Sequence, residues 1–128
     1  MLPLEWKLGE PLPNNQQAQI DPAKLEEYSM NPFNPKNQGK WKAFEQIGYT
    51  VQSEAGRQSG AVDVINQIRQ GLPSHPMTGG RTTPFGTRIT VNIDIQGPNG
   101  NTGTLLTVWQ FDPGSNAPRL ITNWLKVH

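Results

Sequence analysis

Ten residues, TRITVNIDIQ at 87–96, alternate without a break. Ile89, Val91, Ile93 and Ile95 fall on one side, and Arg88, Thr90, Asn92 and Asp94 on the other. A period of two held this long predicts a half-buried strand. The aliphatic side needs a layer of chain to cover it. GPNG at 97–100, with Asn101, predicts a turn. TLLTVWQF (104–111) predicts a second strand, DPGSNAP (112–118) a return, and RLITNWLKV (119–127) a third. Strands joined by connections this short pair antiparallel.

The first half of the chain has a different period. Asp21 stands at an N-cap position with Pro22 behind it, so a short helix is expected, with Leu25 and Tyr28 sharing a face. NPFNP stops it, because each proline disfavours helical geometry in the residue before it. Trp41, Phe44 and Ile47 fall three apart and predict a second helix ending at Gly48. Ala61, Ile65, Ile68 and Leu72 predict a third over about 57–71, ending at Gly71. Residues 73–86, PSHPMTGGRTTPFG, read as a loop carrying His75, Arg81, Thr82 and Thr83. Helices followed by a strand meander give an α+β fold: about three helices on one face of a three- to four-stranded antiparallel sheet.

At 128 residues the chain suffices for one domain. Residues 1–20, with three prolines and an Asn/Gln run, are expected as a tether, and 21–128 as the domain. Met1 reads as a start residue added to a fragment, and no secretion signal opens the chain. No apolar run approaches a membrane span. Cysteine is absent, which excludes disulfides, thiolate metal sites and a cysteine nucleophile. Residues 1–55 hold seven acids and five lysines, a net of −2. Residues 56–128 hold five arginines and Lys126 against three acids, a net of +3. The basic half permits a polyanionic partner without demanding one.

The aliphatic faces Ile89/Val91/Ile93, Leu106/Val108 and Ile121/Leu125 are expected to meet the helices. The opposite face would then gather Arg88, Thr90, Asn92, Thr107, Trp109, Thr122, Trp124 and Lys126. Hydroxyls and cations there suit phosphates, and the indoles suit bases. The same pattern also arises from β-propensity alone. His75 is a candidate general base or a solvated loop residue. Lys42 is a candidate for stabilising phosphorane charge or a solvated helix lysine. Arg119 points to the core by strict alternation, but it opens a strand, where alternation can slip. No metal-ligand spacing, nucleophile elbow or paired-carboxylate motif occurs.

Read in order, IDPAKLEEY, GKWKAFEQIGY, TTPFGTRITVNIDIQGPNG, TVWQF and PRLITNW resemble a small domain at the C-terminal ends of polymorphic bacterial toxins. These include the toxins of contact-dependent growth inhibition systems. The resemblance spans about residues 20–125. That domain is similar to the barnase–EndoU–colicin–RelE group of ribonuclease folds. The resemblance implies N-terminal helices on a four-stranded antiparallel sheet. It implies a metal-independent endoribonuclease, often directed at tRNA, that needs no cofactor. It also implies delivery by a larger secreted protein, action in the target-cell cytoplasm, and a cognate immunity protein.

Carried over by residue, Lys42 matches the family's helix lysine and Trp109 its strand tryptophan. Arg119 and Thr122 match the "PRL.T" ending, and Thr83 the "TP.G" stretch. The catalytic set expected on this reading is Lys42, Arg119, Thr122, Thr107 and His75. The RNA-binding set is Arg88, Trp109, Trp124, Lys126 and Thr83. Trp41 stands where a basic or small residue is expected, and no histidine is placed as acid or base. Two other readings stay open: a non-catalytic protein-binding module, and a structural domain of a phage or secretion particle.

Overall fold

The computed structural model describes residues 4–128; the first three residues of the expected tether, Met1 among them, lie outside the described ones. Four antiparallel strands form a meander in chain order: β1 (Met77–Thr83), β2 (Gly86–Gln96), β3 (Thr102–Phe111) and β4 (Arg119–Val127). The helices α1 (Trp41–Gln46) and α2 (Glu54–Gly71), with a π-helical segment Lys24–Ser29, cover one face. α2 lies on β2, while α1 and the π-helical segment lie on β4. The fold is α+β.

Local signals explain most boundaries. The Ser53 side chain accepts from the Gly56 N–H at 3.0 Å and caps α2. The helix therefore starts at Glu54, earlier than its apolar period alone predicts. Asp21 Oδ1 accepts from the Ala23 N–H at 3.0 Å just ahead of the π-helical segment, but Asp21 is not its cap: the N-cap is Ala23, which has no capping side chain. Val64, Ile68 and Ala61 of α2, Phe44 of α1 and Ile47 at its C-terminal end are completely buried in the core beneath the sheet.

Three expectations need correction. First, β1 lies inside the segment read as a loop. Glycines and threonines hide its period, yet Met77 is buried and the run pairs with β2 through the turn at Pro84 and Phe85. Second, β3 presents the opposite face from the one expected. Ile89 pairs with Trp109, Val91 with Thr107 and Ile93 with Leu105, so all six point at the helices. Trp109 and Thr107 are 0% exposed. Burying an indole removes far more apolar surface from water than burying Leu106 or Val108, and this outweighs hiding one hydroxyl.

Third, the lead-in is packed rather than tethered. Leu12 and Ala18 are buried in the core. Gly9 N–H donates to Met77 O, and Met77 N–H to Glu10 O. The Trp6 indole lies over Gly80, where a Cβ would collide with it.

Alternation in β4 also slips. Thr122 pairs with Val108 and Leu120 with Trp109, so Ile121 is an extra residue, a bulge, rather than a core contact. Leu120, Asn123 and Leu125 bury, and Arg119 faces out.

Candidate functional site

The bulge places Arg119 on the uncovered face of the sheet. There, Arg81 pairs with Arg88, Arg88 with Gln110, and Gln110 with Arg119. Residues directly opposed in a sheet share a face, so one row across four strands reads Arg, Arg, Gln, Arg. Neighbouring strands lie about 4.8 Å apart, so three guanidiniums stand within roughly 15 Å. Like charges set opposite each other destabilise a sheet, so packing alone gives no reason for this row.

The row lines a cleft of about 460 Å³ with Thr83, Phe85 and Asp112 on its rim. Gln110, 6% exposed, organises it. Its Oε1 accepts from Arg88 Nε at 3.0 Å, and its Nε2 donates to Phe85 O and Phe111 O. Arg88 is thereby held through Nε and lines the cleft. Gly86 closes the turn with φ +119°, and a Cβ there would strike Phe111 O and the Gln110 amide. The Thr83 hydroxyl accepts from the Phe85 N–H and donates to Gly86 O. This ties down the turn that holds Phe85 83% exposed beside the arginines.

Arg119 forms a two-pronged bond with Asp112, Nε to Oδ2 at 2.8 Å and Nη2 to Oδ1 at 3.1 Å. That hydrogen bond holds the Asp112 carboxyl below its usual range and raises the guanidinium. Three arginines and one carboxylate leave the cleft cationic.

Of the residues expected at a site, Arg88, Arg119 and Thr83 meet in this cleft. Trp124 lies on the same face, 58% exposed and paired with Leu106, about 14 Å along the strand from the arginine row. Lys126 is exposed one pair further on, opposite Thr104. Thr122 borders a separate groove with Lys24 and Tyr28 at the outer edge of β4.

Four expected residues stand elsewhere. Trp109 and Thr107 are core: the indole N–H donates to Thr107 Oγ1, which itself donates to Val91 O. Neither offers a surface to a ligand. His75 ties the end of α2 to β2, with Nδ1 on Gly71 O at 2.7 Å and Nε2 near Asp94 Oδ2 at 3.4 Å. Asp94 is six residues along β2 from Arg88, roughly 20 Å. Lys42 is exposed on α1, its Nζ 5.9 Å from the Trp41 ring, and does not line the cleft. Of the residues missed, Arg81 and Phe85 become visible only once β1 is a strand and its turn has two residues, and Gln110 only once β3 turns Trp109 inward.

Among the described residues no group of three or more His, Asp or Glu is placed to hold a metal ion. No helix of the described residues is long and apolar enough to cross a membrane.

Residues 11–127 match the family described as Domain of unknown function (DUF6883). The chain belongs to this family. No curated protein matches it. Among solved structures it is similar to a chain of a "Contact-dependent growth inhibition toxin - immunity protein complex from Klebsiella pneumoniae 342". The likeness covers 84% of this chain and 98% of that one, at 13% identity and a TM-score of 0.61. At that identity the likeness establishes a shared fold.

Proposed function

We propose that this member of the family is the toxin domain of a contact-dependent inhibition effector and that it cleaves RNA, tRNA foremost, without a metal. The arginine row beside an exposed phenylalanine carries the reading. Cations grip phosphates, and an aromatic ring stacks a base whatever its identity, at about 1–3 kcal/mol per base. The fold shared with a chain of a toxin–immunity complex supports it.

In this reading Arg88 and Arg119 clamp the scissile phosphate and stabilise the charge that grows on the phosphorane. Arg81 holds a neighbouring phosphate, Thr83 steadies the turn, and Phe85 stacks a base. Trp124 and Lys126 extend the track along the sheet. Cleavage needs a proton taken from the ribose 2′-hydroxyl and one delivered to the departing 5′-oxygen. Among the described residues Asp112 is the one carboxylate lining the cleft. With Arg119 turned to phosphate, Asp112 loses the hydrogen bond that keeps it weakly basic and accepts the 2′-proton as the 2′-oxygen bonds to phosphorus, while the departing 5′-oxygen takes its proton from water. Lys42 and His75, far from the row, take no part.

Delivery is by a larger secreted protein, the site of action is the target-cell cytoplasm, and a cognate immunity protein blocks the cleft. The exposed rings of Phe85 and Trp124 also favour a second reading, a non-catalytic module that docks on a protein. Induced expression in growing bacteria separates the two. Growth arrest, relieved by Arg88→Ala with Arg119→Ala, is the expected result. Undisturbed growth with soluble protein rules out the toxin.

A further inference from the structure

Behind the β1–β2 turn lies a second groove, of about 340 Å³, that shares Thr83, Gly86 and Asp112 with the arginine cleft. Those three residues form the ridge between the two depressions. We infer that this groove is a nucleobase subsite, which reads the base on one side of the phosphate held by the arginines. The inference rests on the ribonuclease reading above.

The walls of the two depressions differ in kind. The cleft presents guanidiniums. The groove presents Leu4, Pro84, Pro113 and the edge of Phe111. Apolar walls with few polar groups suit the flat face of a base and offer nothing to a phosphate. The Thr82 and Thr87 hydroxyls are bound to each other at 3.1 Å, and Thr82 Oγ1 also accepts the Trp6 N–H. Ser115 is bound to Ala117.

Asn116 is different. Its backbone carbonyl is anchored by Asn14 Nδ2 at 2.8 Å, while its own amide makes no hydrogen bond among the described residues. An anchored loop thus holds one unengaged donor–acceptor pair at the rim of an apolar slot. An amide of this kind can bond two atoms of one base edge at once.

The chemistry of the backbone completes the argument. A phosphodiester carries a nucleoside on each side. With the phosphate in the cleft, one base stacks on Phe85 and the other crosses the ridge into the groove. A base can enter only when unpaired and unstacked, so the substrate is a loop or a free end.

The test measures binding of short 2′-O-methyl oligoribonucleotides of A, C, G or U to the full chain. The methyl group removes the attacking hydroxyl, so binding is read without cleavage. The wild type is expected to prefer one base by roughly tenfold. Asn116→Ala should flatten that preference to about twofold, and Asn116→Asp should reorder it, while Arg88→Ala weakens all four alike. A wild type that binds all four equally, or an Asn116→Ala variant that keeps the preference, overturns the subsite and leaves the ribonuclease reading standing. A wild type that binds none overturns the ribonuclease reading and the subsite with it.

Discussion

The Trp109 indole N–H donates to the Thr107 hydroxyl across 2.8 Å in the middle of the core, and that hydroxyl donates to Val91 O at 2.7 Å. Both residues are wholly buried. The threonine is therefore the polar partner that lets a large indole sit among isoleucines. Thr107→Val keeps the volume and removes the partner, leaving a buried N–H unpaired. A loss of about 1–3 kcal/mol is expected in urea unfolding, with Thr107→Ser close to wild type.

Gly86 sits in the left-handed region at φ +119°, and a Cβ would meet both Phe111 O and the Gln110 amide. Gly86→Ala is expected to cost at least about 2 kcal/mol and to release Gln110 from Arg88. A lowered unfolding midpoint checks the first effect. Weakened RNA binding under folding conditions checks the second.

These two positions show where the sequence is legible and where it is not. The unbroken alternation of 87–96 specifies β2, and the apolar period of α2 is equally plain. β3 carries a hydrophobe on both faces, so alternation identifies a strand without saying which side goes in. Only the size of Trp109 decides that. At β4 the bulge at Ile121 turns Arg119 outward, and no local pattern marks a bulge. β1 is masked by Gly79 and Gly80; the missing side chain of Gly80 makes room for Trp6. Arg88 is nameable from the alternation of β2, whereas Arg119 and Thr83 enter only through the family resemblance, since strict alternation turns Arg119 inward and Thr83 lies in the stretch that reads as a loop. Arg81 and Phe85 are not nameable, since the row that joins them needs β1 in register.

Tyr49 is almost fully buried, and its hydroxyl donates to Asp63 Oδ2 at 2.5 Å. Burial first, and the Asp63 hydrogen bond second, push the phenol well above its ordinary value near 10. The folded state therefore keeps a proton that the unfolded state gives up. Its contribution is complete below pH 10 and is lost as pH rises from there through the raised folded value. Denaturation midpoints measured from pH 8 to pH 12 should fall with alkalinity in the wild type. Tyr49→Phe should be flatter over the same range.

Asp112 is ionised at neutral pH, with Arg119 as its partner. Asp112→Asn removes the acceptor but leaves the shape. Cleavage should fall by roughly 10²–10⁴-fold, while RNA binding holds or tightens because the cleft loses its one negative charge. Single-turnover cleavage and filter binding on the same preparation separate the two. The lowered carboxyl value places the loss of the pair on the acid side of the usual carboxylate range, so binding should change little from pH 6 to pH 8.

The account depends on a cationic row on the uncovered sheet face that holds RNA during cleavage. Purified chain incubated with total RNA in the presence of EDTA, beside a variant carrying Arg81→Ala, Arg88→Ala and Arg119→Ala, tests that directly. The wild type should cut RNA, tRNA most of all, at the same rate with or without the chelator, and the folded triple variant should leave it whole. Intact RNA with the wild type, cutting that stops in EDTA, or equal cutting by the triple variant contradicts the account.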